Sequence, residues 1–213
     1  MPGNHPDKEK VKLTWIATIA FDAATGRLKQ LYDRVRGPGN KIDNIMLAHS
    51  LRPHSMEGHM ALYKNVLHHN GNELPKWFLE SIGVFVSLLN HCNYCVDHHF
   101  AGLCRLLNDD ARAAAIRAAL QSGELTGAFT RGQCAALKYA ATLTSDPKSV
   151  TAAMLQEMRD GGLGDGEILE INQVTAYFAY ANRTVLGLGI NIKGDVLGLS
   201  PGNSDRPDDW HHN

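Results

Sequence analysis

Two cysteines, Cys92 and Cys95, stand three positions apart, and His99 follows four positions after the second. On a helical wheel turning about 100° per residue, Cys95 lies about 60° from Cys92 and His99 falls between them. The three side chains then share one stripe, with His98 off its edge and Asp97 on the far side. Cysteines at i and i+3 of a helix can approach disulfide distance. In the first turns of a helix they also meet free backbone N–H groups and the positive end of the macrodipole, both of which favour a thiolate. An ordinary thiol, with a pKa of about 8.5, is mostly protonated at neutral pH. His99 is the nearby base that can take or return the proton. This is the outline of thiol redox chemistry. Two other readings fit the same residues. One is a pair of cysteines packed in an apolar face. The other is a zinc site, for which Cys92, Cys95 and a His would supply three of the usual four ligands, with no second CxxC or HxxxH to complete the set.

The elements that must hold this stripe read as helices. Pro75 suits a first helical turn, and the apolar residues from Phe78 to Leu89 cover most of a helix circumference, which predicts a central, buried helix. That helix carries Glu80, with eleven residues between it and Cys92. After a break at Asn90, a helix over about His91–Leu107 carries both cysteines and His99. Three- and four-residue apolar spacing predicts further helices over Asp22–Arg36, Ile42–Leu51, Pro53–His69, Asp110–Leu120, Thr130–Leu143, Val150–Arg159 and Asp165–Leu186. Gly37-Pro38-Gly39, Pro53, Asn70-Gly71-Asn72 and Gly161-Gly162 punctuate them. The one β-favouring run, Val11–Ala20, has no second run to pair with. The expected fold is therefore all-α, with an N-terminal arm over 1–20, a helical domain over 21–190 and an irregular tail over 191–213. The tail is expected to pack across a neighbouring subunit.

A candidate helical-hairpin repeat at an offset of 90 aligns Gly71 with Gly161, Leu79 with Leu169, Glu80 with Glu170 and Val84 with Val174. Its second copy has Asn182 in place of Cys92 and Val185 in place of Cys95, so only the first copy can carry thiol chemistry.

Composition narrows the class. The 213 residues are 44 % hydrophobic and 20 % charged, which fits an ordinary globular chain rather than a disordered one. A net charge of −1 gives no electrostatic reason to expect nucleic acid or an anionic membrane as partner. No apolar run approaches the 18 or so residues of a membrane span. The polar start has no signal-peptide core, so a cytoplasmic location is the default. Four cysteines are too few for a disulfide scaffold, and in a reducing compartment a close pair points to catalysis or metal binding.

The pattern Glu80-x11-Cys92-x2-Cys95-x3-His99 resembles the core motif of the AhpD-like alkylhydroperoxidases, within the carboxymuconolactone decarboxylase superfamily. His49-Ser-Leu-Arg-Pro53, and Asn182-Arg183 ahead of Gly187-Leu-Gly189, are similar to its peroxidase-related branch. The resemblance runs from Ala20 to Ile190. It implies an AhpD-like multi-helical bundle, assembled as a homo-oligomer. It also implies a dithiol that reduces hydroperoxides, closes to a Cys92–Cys95 disulfide and is reset by a thiol or protein reductant, with no cofactor or metal. Residues matching Glu80 and His99 form a proton relay in that family. One departure is Tyr94, where AhpD proteins carry a functional His, so AhpD's own substrate and reductant do not transfer. Superfamily members without the cysteine pair are decarboxylases, and the pair argues against that lyase reaction here. A non-catalytic oligomerising or zinc-binding module is the other alternative.

In the mechanism these readings suggest, one thiolate attacks the distal peroxide oxygen and becomes a sulfenic acid, which the other cysteine condenses with. Spacing does not decide which attacks; Cys95 is favoured as nearer to His99 along the chain. His91, Tyr94, His98 and His49 are candidate pocket residues. His68 and His69 are expected to cap a helix as cations, and Cys104 and Cys134 to pack. Glu170 is expected to be structural, and Trp210-His211-His212 to be at most a weak metal site.

Overall fold

The computed structural model describes residues 12–206 and 208–212. Residues 1–11 of the expected arm lie outside them. Among the described residues there are nine α-helices and no strand. They are α1 (Gly26–Val35), α2 (Asn44–Ala48), α3 (Pro53–Leu67), α4 (Lys76–Leu89), α5 (Asn93–Leu107), α6 (Asp110–Ser122), α7 (Arg131–Ser145), α8 (Ala152–Asp160) and α9 (Asp165–Leu188). No helix among the described residues is long and apolar enough to cross a membrane.

The apolar wrapping of α4 puts it at the centre, buried without interruption from Phe78 to Ser87. Helices α5, α7 and α9 pack round it, with α3 against α9 and α8 against α7. Close approach of α4 and α9 depends on Gly83, where a Cβ would sit 2.2 Å from the Phe178 ring. Glu170 on α9 accepts hydrogen bonds from the Glu73 and Leu74 N–H groups at 2.7 and 3.0 Å. It thereby satisfies two donors just ahead of α4, a structural task.

The turn from α4 to α5 departs from the sequence expectation. The helix starts at Asn93, not at His91. His91 takes the left-handed conformation (φ 56°), its N–H bonds to Leu88 O, and the Cys92 N–H bonds back to Ser87 O. This is a Schellman closure of α4, with a His where glycine is usual. Cys92 is thus the N-cap of α5 rather than a member of its first turn. Helix α2 is also shorter than its apolar run, because the chain leaves the helix at His49.

The segment after Ile190 has no regular element, and it folds back over its own chain. Asn44 Nδ2 donates to Asn191 O at 2.7 Å. Gly198, at φ 78°, crosses α5 so closely that a Cβ would lie 2.8 Å from the Ala101 backbone. The buried Lys64 ammonium donates to the Gly202 carbonyl and the Ser204 hydroxyl. Trp210 is buried, with the Arg34 guanidinium 3.8 Å above its ring.

Candidate active site

The Schellman turn and the first turns of α5 bring Cys92 and Cys95 together, both as free, buried thiols. The hydrogen bond from the Cys95 thiol pulls the Cys92 thiol down from its ordinary value; burial opposes this, and the Cys95 N–H and the Asn182 amide add to it. Cys95 moves the other way, well above the usual thiol range. It is the donor to Cys92, it is desolvated, and it lies beside the charge that Cys92 would carry. When the pair carries one negative charge, the charge is favoured on Cys92 and the remaining proton on Cys95.

The two sulfurs differ in access. A cavity with about 50 Å³ of water-accessible space is lined by Cys95 and not by Cys92. Room for one water takes roughly 10–15 Å³ on the same measure, so a small polar head fits. His99 and Glu80 share this wall. His99 Nδ1 lies 2.7 Å from Glu80 Oε2. With Nδ1–H donated to the carboxylate, Nε2 is left as the acceptor, the tautomer of a general base. The edge of the His99 ring meets Phe178 at 4.5 Å between centroids. Aromatic rings from α3 and α9, Tyr63 and Tyr177, close the rest of the cavity. Burial pushes both phenols well above their ordinary range, so they stay neutral donors.

Two further carboxylate–imidazole pairs reach the same cavity, one through its imidazole alone and one through both members. Asp195, from the tail, accepts from Tyr94 Oη at 2.7 Å and lies 3.1 Å from His98 Nε2. It also accepts from the Asn44 N–H, and its side chain is almost wholly buried. Asp43, the N-cap of α2, lies 3.1 Å from His212 Nδ1.

The site residues read from sequence fall into distinct places. Cys95, His99, Glu80, Tyr94 and His98 line the cavity, and Cys92 lies behind Cys95. His98 is buried, although the helical wheel set it off the stripe: the tail covers that side of α5. His91 is exposed and does not line the pocket, because the left-handed turn points it outward. His49 does not line it either; it donates Nδ1–H to Ile45 O and stacks behind His59 at 5.0 Å.

His68 is not a capping cation. Its imidazole is buried 3.8 Å from Glu80, and desolvation drives its pKa well below the ordinary value. Cys104 and Cys134 are half-buried, away from the pair. Sequence reasoning gave no site role to Asp43, His59, Tyr63, Tyr177, Asn182 or Asp195, and offered His212 only as part of a weak metal site. Asn182 had one usable signal, its alignment with Cys92 in the candidate repeat. Among the described residues no group of three His, Cys, Asp or Glu side chains is placed to hold a metal ion.

No family model and no curated protein matches the sequence. Solved structures do. A peroxidase-related protein from Ralstonia eutropha JMP134, described as an alkylhydroperoxidase AhpD core, superposes with a TM-score of 0.73 at 22 % identity, over 86 % of this chain and 94 % of that one. A peroxidase-related protein from Silicibacter sp. TM1040 gives 0.67 at 21 % identity, over 89 % and 95 %. The debrominase Bmp8, as a cysteine-to-alanine variant in complex with 2,3,4-tribromopyrrole, gives 0.66 at 16 % identity, over 88 % and 95 %. The chain thus has the all-helical AhpD-like fold.

Proposed function

We propose that the protein is a CxxC-dependent thiol peroxidase that reduces hydroperoxides by cycling between a dithiol and a Cys92–Cys95 disulfide. The observation that carries this reading is the shared cavity. Cys95 opens on it beside His99, whose ring Glu80 fixes at 2.7 Å, while Cys92 lies behind as the more acidic of the two thiols.

His99 Nε2 takes the Cys95 proton. The Cys95 thiolate attacks the distal oxygen of ROOH; the O–O bond breaks, Cys95 becomes a sulfenic acid and RO⁻ leaves to be protonated. The Cys92 thiolate then attacks the Cys95 sulfur and expels hydroxide, which leaves as water. Per cycle, dithiol and ROOH give disulfide, ROH and water. A thiol or protein reductant restores the dithiol, in an enzyme that works as a homo-oligomer in the cytoplasm. Location on the cavity favours Cys95 as attacker even though Cys92 is the more acidic of the two. The low pKa serves the second step, where Cys92 is the nucleophile.

The aromatic walls of the cavity favour a second reading, suggested by the debrominase neighbour: the dithiol as two-electron reductant of a halogenated ring. Mass spectrometry separates the assignments. After substoichiometric peroxide, Cys92→Ser should carry a sulfenic acid on Cys95, and Cys95→Ser should carry none. A sulfenic acid in Cys95→Ser alone would reverse the assignment. Halide release from a bromopyrrole with no oxidation by peroxides would favour the second reading.

A further inference from the structure

Peroxide cleavage needs a proton at the oxygen that leaves, and the steps above name no donor placed at that oxygen. Two buried polar atoms on the cavity wall have no partner among the described residues: His59 Nδ1 and His212 Nε2. An unpaired buried polar atom is costly, and such atoms are scarce in folded proteins. Here two of them line one cavity, on residues whose rings both pack against Tyr63 at 6.5 Å.

Their other nitrogens are occupied. His212 Nδ1 is 3.1 Å from Asp43, and His59 Nε2 is 3.5 Å from the Tyr177 hydroxyl. The Asp43–His212 pair sets a carboxylate beside an imidazole on another wall of the cavity, at 3.1 Å where Glu80 and His99 hydrogen-bond at 2.7 Å.

We propose that His212, oriented by Asp43, is a second acid–base group of this site, and that it forms with His59 the subsite for the leaving oxygen of the hydroperoxide. This rests on the peroxidase reading above. The acting form of His212 is the imidazolium, with Nδ1–H kept on Asp43 and Nε2–H facing the cavity. As the Cys95 sulfur bonds to the distal oxygen and the O–O bond breaks, the Nε2 proton passes to RO⁻. ROH departs, and solvent reprotonates Nε2. His59 cannot be this donor: burial, and the nearby His49, His212 and His99, lower its pKa to about 3, so it stays neutral and can only hydrogen-bond.

A general acid matters when the leaving group is a strong base and little when it is a weak one. Single-turnover loss of the dithiol is therefore measured with hydrogen peroxide, tert-butyl hydroperoxide and peracetic acid, whose leaving groups are hydroxide, an alkoxide and acetate. His212→Asn keeps a donor for Asp43 but removes Nε2. The expected result is a fall of about 10²-fold with the first two oxidants, within the usual range for acid–base catalysis, and of less than about threefold with peracetic acid. Asp43→Asn, which leaves the imidazole in place, should show the same selectivity with a smaller fall. Equal slowing with all three oxidants, or no slowing, would overturn the role of His212 while leaving the peroxidase reading intact. A wild-type dithiol that none of the three oxidises would overturn both.

Discussion

Glu80 Oε2 and His99 Nδ1 lie 2.7 Å apart, joining the central helix α4 to the thiol-bearing helix α5. Glu80 is buried and a carboxylate can only accept, so the contact holds the imidazole hydrogen on Nδ1. His99→Ala should slow dithiol oxidation by hydroperoxide by about 10²-fold or more, the usual scale of a lost general base. Glu80→Gln, which keeps the shape but not the charge, should give a smaller loss. Stopped-flow measurement of thiol consumption checks both, and an unchanged His99→Ala rate would remove the relay.

The hydrogen bond from Cys95 is the largest influence lowering the Cys92 thiol. Removing it in Cys95→Ala should move the pH midpoint of Cys92 alkylation upward, toward the ordinary thiol value of about 8.5. Asn182→Ala should move it in the same direction by less. Iodoacetamide rates followed from pH 5 to 10 read the midpoint directly.

Acid should destabilise the protein through its buried histidines. His59 has a folded pKa of about 3, and His68 is also driven well below the ordinary 6.5. Below pH 6.5 the unfolded chain binds protons that the folded chain refuses. Stability is therefore full above pH 6.5 and falls as the pH drops toward the folded values, by up to about 1.4 kcal/mol per pH unit for each group. Urea midpoints between pH 7 and 5 should show this slope, and His59→Asn should flatten it.

Asp195 ties α2, α5 and the tail to one carboxylate through Asn44, Tyr94 and His98. Asp195→Ala leaves those buried donors without their acceptor and should cost about 2–4 kcal/mol. Hydrogen exchange should then rise over residues 195–206, while α4 stays protected.

Gly83→Ala would drive a methyl group into the Phe178 ring, 2.2 Å away. The expected cost is about 1–3 kcal/mol. Phe178 also braces His99, so dithiol oxidation should slow as well. Pairing Gly83→Ala with Phe178→Leu should recover part of the melting temperature.

The helices were readable because periodic apolar spacing is a local signal, and Glu80, Cys92, Cys95 and His99 because they sit in one contiguous motif. The wheel placed Cys92 inside α5 since nothing in a His at position 91 announces a left-handed residue. His98 looked peripheral because its partner, Asp195, lies far along the chain in a segment with no periodicity to place it. The same gap hid Asp43 with His212, whose 3.1 Å contact spans nearly the whole chain. Long-range closure of that kind leaves no spacing to read, whereas Asn182 had a signal, its alignment with Cys92 in the candidate repeat, that gave it no role in the sequence reading.

Gly198 and the residues after it leave the ribosome only once all nine helices have been made. Until Gly198, Leu199, Ser200 and His212 arrive, the wall they form in the Cys95 cavity is missing. Cys92 and Cys95 are therefore made well before the segment that walls their cavity, and on the proposed function this interval is when the pair is most open to unwanted mixed disulfides.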